Sequence, residues 1–293
     1  MIGSRIRRSG ARRLILALGL VAAAVGPPQP VAAADIDLAI GLERVEGTFL
    51  SAGSRRFDQL FLQAEFGGAG SRLTVRLPYL RVDHTGNVAP TPDGPIIVGA
   101  GGPGSPAWQE SAPGDGESGI GDLSLRSDSY LVRAGKGNRP ALSLVIDLKW
   151  PTASEKKGLG TGEYDYGAGL DYLQPLGRHF QILGAASYRF MGSPEGTDFD
   201  NRLRLFAGFA VVTPHTVWRL VGESISPVLD EVPVFDATGT AVGMTSVDDY
   251  RIVRGEAVFR NQAGGSMRLY ALTGLNDSSP DLGFGIVFAS RAL

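Results

Sequence analysis

The chain has 293 residues, no cysteine, 41 glycines and a formal charge of −2. The absence of cysteine excludes disulfide staples, thiolate catalysis and every Cys-ligated metal site. A mildly acidic balance argues against a nucleic-acid partner, and the glycine content favours a turn-rich strand protein.

Residues 1–34 read as a secretory signal peptide. Arg5, Arg7, Arg8, Arg12 and Arg13 form a basic start, Leu14 to Val25 is apolar, and Ala32-Ala33-Ala34 offers small residues before Asp35. As a helix the apolar run reaches roughly 18 Å, too short for a bilayer core of about 30 Å. Removing it leaves 35–293 as one domain with 23 basic and 30 acidic side chains. No later stretch is apolar enough for a transmembrane helix, so the mature chain either stays in water or crosses a membrane as a closed barrel. Asp35 and Asp37 read as an exposed mature terminus.

Period-two alternation then runs along the chain, placing alternate residues on opposite strand faces. Leu60, Leu62, Ala64 and Phe66 oppose Gln59, Gln63 and Glu65; Leu73, Val75 and Leu77 oppose Arg72, Thr74 and Arg76. Leu142 to Trp150, Tyr164 to Tyr172 and Phe180 to Phe190 alternate most regularly, and Leu203 to Val211, Val253 to Phe259, Met267 to Thr273 and Leu282 to Phe288 continue the pattern. The predicted strands are 42–50, 56–67, 71–83, 120–133, 139–150, 163–174, 178–191, 201–213, 216–227, 249–262, 265–275 and 280–290. These make twelve, with ten and fourteen as neighbouring counts, in an all-β fold. The ninth carries the charged pair Arg219 and Glu223 on one face.

Short connections (67–70, 134–138, 174–177, 214–215, 263–264) alternate nearly without exception with longer ones (84–119, 151–162, 192–200, 228–248), Leu275 to Ser279 being shorter but polar. A bacterial outer-membrane barrel sorts its connections this way, short turns at the periplasmic rim and longer loops outside. Most segments also exceed the 5–6 residues typical of soluble strands and suit the ~9–11 needed to cross a bilayer. Tyr79, Trp150, Tyr164, Tyr172, Phe180, Tyr188, Phe190 and Phe288 fall near strand ends, where aromatic girdles lie. Six prolines between 90 and 113 exclude a core strand over 84–119, which is either a flexible external loop, the preferred reading, or a loop folded into the pore.

Leu77-Pro78-Tyr79 closes one strand, Gly119-Ile120-Gly121-Asp122-Leu123 opens the next, and Trp150-Pro151-Thr152 ends another before Leu159-Gly160-Thr161-Gly162. This order resembles the outer-membrane barrel family labelled "MetA-pathway of phenol degradation", clearest over residues 71–192. The chain departs from that pattern at Ala153, where the family reads Gly, and at Leu293, where outer-membrane chains commonly end in Phe. The resemblance implies a channel or transporter for small, hydrophobic or aromatic, molecules.

If the apolar faces meet lipid, the charged faces must line a lumen, because Arg or Lys on a lipid face costs about 2–4 kcal/mol at mid-depth. The lumen set is Arg72, Arg76, Asp122, Arg126, Asp128, Asp147, Lys149, Glu163, Asp165 and Asp171 in the first half. Arg189, Arg202, Arg204, Arg254, Glu256, Arg260 and Arg268 complete it. Such charges either line open water and set selectivity or pair and narrow the pore; a narrow pore partly blocked by paired charges is the expectation. No cofactor is expected. The three histidines, His84, His179 and His215, fall on different connections, and neither a GxSxG nor an HExxH motif occurs, so no enzyme is read. Expected partners are outer-membrane lipid, a small-molecule solute and the barrel-assembly machinery. The competing readings are a structural or sensory barrel with no open pore and a soluble periplasmic β-protein.

Overall fold

The computed structural model describes residues 35–49, 54–68, 70–83, 88–89, 96–97, 116–135, 138–194, 198–235 and 241–292. The proposed signal peptide, His84 and most of the 84–119 connection lie outside them. The strands are β1 (Asp35–Gly47), β2 (Arg55–Gly67), β3 (Ser71–Val82), β4 (Val88–Ala89), β5 (Ile96–Ile97), β6 (Glu117–Ile120), β7 (Leu123–Val132) and β8 (Ala141–Trp150). They continue with β9 (Asp165–Leu176), β10 (Phe180–Phe190), β11 (Arg202–Val212), β12 (Thr216–Ile225), β13 (Glu231–Phe235), β14 (Ala241–Ser246), β15 (Tyr250–Arg260), β16 (Ser266–Gly274) and β17 (Leu282–Ala292).

Thirteen of these form one antiparallel sheet that closes on itself, β1 pairing with both β2 and β17 and β2 with β3. Because β6 and β7 share one stave beside β3, the barrel has twelve staves. Closure matters physically: it leaves no edge of unpaired backbone groups, the condition for crossing a medium that offers no hydrogen bonds. β4–β5 and β13–β14 are separate hairpins inside the longer connections.

Every stave alternates a residue facing outward with one facing the interior. Leu38, Ile40, Leu60, Leu62, Leu170, Ile182, Leu205, Phe209, Leu220 and Phe284 all stand exposed on the outside. On β10 the outward set runs from Phe180 to Phe190. Ten steps of about 3.4 Å at a tilt near 45° rise about 24 Å, close to the apolar band of outer-membrane barrels. Two aromatic bands flank it. Trp150–Tyr164 and Tyr188–Phe190 meet edge-on at 5.3 and 5.2 Å at the long-loop rim, while Trp218–Phe259 meet at 6.1 Å near the short-turn rim.

Three boundaries differ from expectation. The first strand is Asp35–Gly47 rather than 42–50, so Asp35 and Asp37 pair with Gly67 and Glu65 instead of hanging free. Its interior face is Asp37, Ala39, Gly41 and Glu43, too small and mixed to stand out as a polar stripe. The predicted 120–133 strand is split at Gly121-Asp122, where the Gly121 N–H donates to the Pro78 carbonyl at 2.9 Å. Pro78 has no N–H to return, so the regular ladder breaks there. Residue 49 leaves the strand: Phe49 takes a φ of 46° and its ring is fully buried. That left-handed conformation costs about 1–3 kcal/mol in a bulky residue, and burial of the ring offsets it.

A charged lumen as the candidate functional site

Two cavities lie end to end inside the barrel. One of 520 Å³ sits toward the short-turn rim and one of 310 Å³ toward the long-loop rim. Gln63, Thr74, Arg126, Arg204 and Arg254 line both, so they form the waist between two chambers. These five come from β2, β3, β7, β11 and β15, spread round the barrel.

Of the expected set, Arg72, Asp128, Asp171, Glu256 and Arg268 line the larger chamber, and Arg76, Asp147, Lys149 and Arg189 the smaller. Most are paired. Arg126 lies 2.9 Å from Asp128, 2.6 Å from Asp171 and 3.9 Å from Asp147. Arg76 meets Glu43 at 2.7 Å, Arg204 meets Glu223 at 2.6 Å, and Arg72 meets Glu65 at 3.3 Å. Glu256 bridges two cations: Oε1 lies 2.9 Å from Arg254 and Oε2 3.2 Å from Arg219. The Arg126 and Asp171 side chains keep 32% and 42% of their surface open, so these pairs stand in water and screen each other rather than lock the barrel.

Asp122, Asp165 and Arg202 line neither chamber. Lys149 Nζ lies 3.1 Å from Asp122 Oδ2 and 3.0 Å from Asp165 Oδ2, and donates to Thr161 Oγ1 at 2.7 Å. All three charged side chains are at most 4% exposed. This cluster anchors the 151–164 connection: Asp122 Oδ1 also accepts the Ala153 N–H, and Asp165 Oδ1 the Gly192 N–H. Arg202 is buried and its Nε donates to the Ser226 carbonyl at 3.1 Å, holding the next loop. These three are clamps at the long-loop rim.

Above the clamps sits an apolar collar. Phe49, Phe57, Leu80, Val82, Leu159 and Val247 pack as one buried cluster, three of them brought in by connections. Phe49 meets Phe57 edge-on at 5.9 Å. The 151–164 connection also carries Glu163, whose carboxyl sits above its ordinary 4.5 because burial disfavours the charge and Glu155 repels it.

Sequence reasoning missed Glu43, Glu65, Phe61 and Tyr270, and left Arg219 and Glu223 unassigned. The alternation of β2 and β16 was enough to turn Glu65 and Tyr270 inward. On the inner wall Arg76 stacks over the Phe61 ring at 3.7 Å, and Arg254 lies 5.9 Å from the Tyr270 ring. Both rings lie across glycine: a Cβ at Gly41 would overlap Phe61, and one at Gly285 would overlap Tyr270. Bare backbone on β1 and β17 is what lets these rings lie against the wall.

Charges that face outward occur as well. Arg44, Glu46, Arg56, Asp58, Arg81 and Arg251 lie on the outer face, all at the long-loop end, where Arg44 meets Asp58 at 2.5 Å and Arg56 meets Asp83 at 2.6 Å. They stand above the apolar band. His179 and His215 lie in the 177–179 and 213–215 turns, and His179 Nδ1 lies 3.0 Å from the Val212 carbonyl. Among the described residues no three metal-binding side chains converge.

Neither a family model nor a curated protein matches the chain. Solved structures do. An outer-membrane channel from Pseudomonas putida F1 aligns with a TM-score of 0.65 at 12% identity, over 91% of this chain and 98% of that one. The NanC porin aligns with a TM-score of 0.50 at 7% identity, over 88% of this chain and all of that one. The likeness is one of fold. It agrees with a closed antiparallel barrel, reached through very different side chains.

Proposed function

We propose that this barrel resides in a bacterial outer membrane, where it gives small solutes a narrow path. Residues 1–34 serve as a cleaved export signal, and insertion runs through the barrel-assembly machinery. The observation that carries the reading is the pairing of a charge-free apolar band outside with two water-accessible, charge-lined chambers inside. An apolar exterior of this height has no use in water, and a fully structural barrel needs no lumen. The structural neighbours, one a channel and one a porin, support the same reading.

The resemblance to the phenol-degradation barrel family suggests an aromatic or hydrophobic cargo. The lining supports a polar solute better, because guanidinium groups are three of the five waist residues and charged side chains make up nearly half of each chamber's lining. We read the 17 expected lumen charges as three groups: eleven on the chambers contact solute, Lys149 with Asp122, Asp165 and Arg202 holds loops, and Glu163 and Arg260 line neither chamber.

The collar favours one rival reading, a barrel that stays shut. Reconstitution in planar bilayers separates the two. The wild-type protein is expected to show small, discrete conductance steps, and Phe49→Ala to enlarge or prolong them by thinning the collar. Complete absence of conductance in both proteins refutes the channel. Recovery of the protein in a detergent-free periplasmic extract refutes the location.

A further inference from the structure

We propose that the larger chamber holds a binding site for a small dianion, such as a short dicarboxylate, on the wall formed by β12, β15 and β16. This deepens the channel reading and rests on it, since a solute must reach the lumen.

The two sides of that chamber are charged differently. On one side Arg126 faces two carboxylates, Asp128 and Asp171. On the other, Arg219, Arg254 and Arg268 line the cavity with Glu256 as the one carboxylate among them. Three cations against one anion leave that wall with an excess of two positive charges. Glu256 is already divided, one oxygen toward Arg219 and one toward Arg254. Arg254 Nε also aligns too poorly with Glu256 for a hydrogen bond despite the 2.9 Å distance. Arg268 makes no ion pair among the described residues, and it is exposed.

Guanidinium groups carry five donors each and accept nothing. Glu256 therefore leaves most of the donors on this wall unused, and a planar carboxylate matches them two at a time. Tyr270 flanks Arg254 with its ring 5.9 Å away and limits where that guanidinium swings. The cavity volume of 520 Å³ is on the order of ten to twenty water volumes, enough for a four-carbon dicarboxylate and its remaining hydration. Glu223 on β12 faces the smaller chamber and is taken up by Arg204, so Glu256 is the one carboxylate these three strands turn into the larger chamber. A dianion supplies the negative charge this wall lacks; a dication meets repulsion.

The test uses full-length protein folded in detergent micelles at low salt, with succinate as the probe and ethylenediammonium as a dication of similar length. Saturation-transfer NMR is expected to show transfer to succinate and little to the dication. Arg268→Glu is expected to weaken succinate at least tenfold, and Arg268→Lys only two- to threefold. Heat-modifiable gel migration confirms that both variants fold. Equal transfer to both probes, no transfer to succinate, or unchanged binding in Arg268→Glu overturns the site. Bilayer recordings keep the two proposals apart. Conductance without succinate binding refutes the site and leaves the channel; binding without conductance refutes the channel and leaves the site.

Discussion

Replacing Lys149 with methionine removes the one cation that Asp122 and Asp165 share. The ammonium lies 3.1 and 3.0 Å from the two carboxylates, and all three side chains are almost wholly buried. At an effective dielectric near 20, each contact is worth about 5 kcal/mol of attraction. Part of that only repays desolvation, so breaking a buried pair costs about 3–5 kcal/mol in practice. Lys149 serves two carboxylates at once, which places the expected loss near 5 kcal/mol. Uptake of protons sets a ceiling, at about 1.4 kcal/mol for each pH unit above an ordinary carboxyl value, or about 4 kcal/mol per group at pH 7. The control is Asp122→Asn. Its Oδ1 still accepts the Ala153 N–H, and one ammonium then faces one carboxylate. A loss under about 1.5 kcal/mol is expected there. Urea unfolding in lipid vesicles, followed by the fluorescence of the three tryptophans, reads both. A Lys149→Met loss below 1 kcal/mol would refute the claim that this cluster holds the 151–164 connection.

Two further outcomes follow from the outer face and the loop. Leu62 is 59% exposed in the middle of β2, and Leu62→Arg is expected to cost about 2–4 kcal/mol in vesicles; a negligible change would mean that this face does not meet lipid. Glu163 has a raised folded-state carboxyl value, caused first by burial and then by Glu155. Its contribution is therefore complete below its ordinary 4.5 and is lost as pH climbs through the raised value. Hydrogen exchange of residues 151–164, corrected for intrinsic rates, is expected to slow on acidification across that window. Glu163→Gln should flatten the trend; an unchanged pH profile in the variant would remove Glu163 as its cause.

The alternation of β8, β9 and β10 was plain from the chain because it needs only local geometry. Successive Cβ atoms point to opposite faces of any strand, so Leu170 and Tyr172 had to oppose Asp171 whatever the partners were. The sorting of short and long connections was equally visible, and with it the twelve-stave count. β1 was blurred because Gly41 and Ala39 carry so little polarity that the alternation read weakly. Gly41 is small for a reason no local pattern holds: Phe61 of the neighbouring strand lies across it.

Sequence by itself determined which residues turn toward the apolar exterior and which turn toward the interior, since that follows from strand periodicity and the cost of charge in lipid. Tertiary structure alone decided which interior charges became partners. Arg126 of β7 reaches Asp171 of β9, and Arg76 of β3 reaches Glu43 of β1, each across an intervening stave. The same closure divided the lumen at a waist of three arginines, drew Phe49 and Leu159 into a collar, and left Arg268 without an ion-pair partner among the described residues. Pairing across a ring depends on stagger and diameter, which are properties of the closed sheet rather than of any one strand.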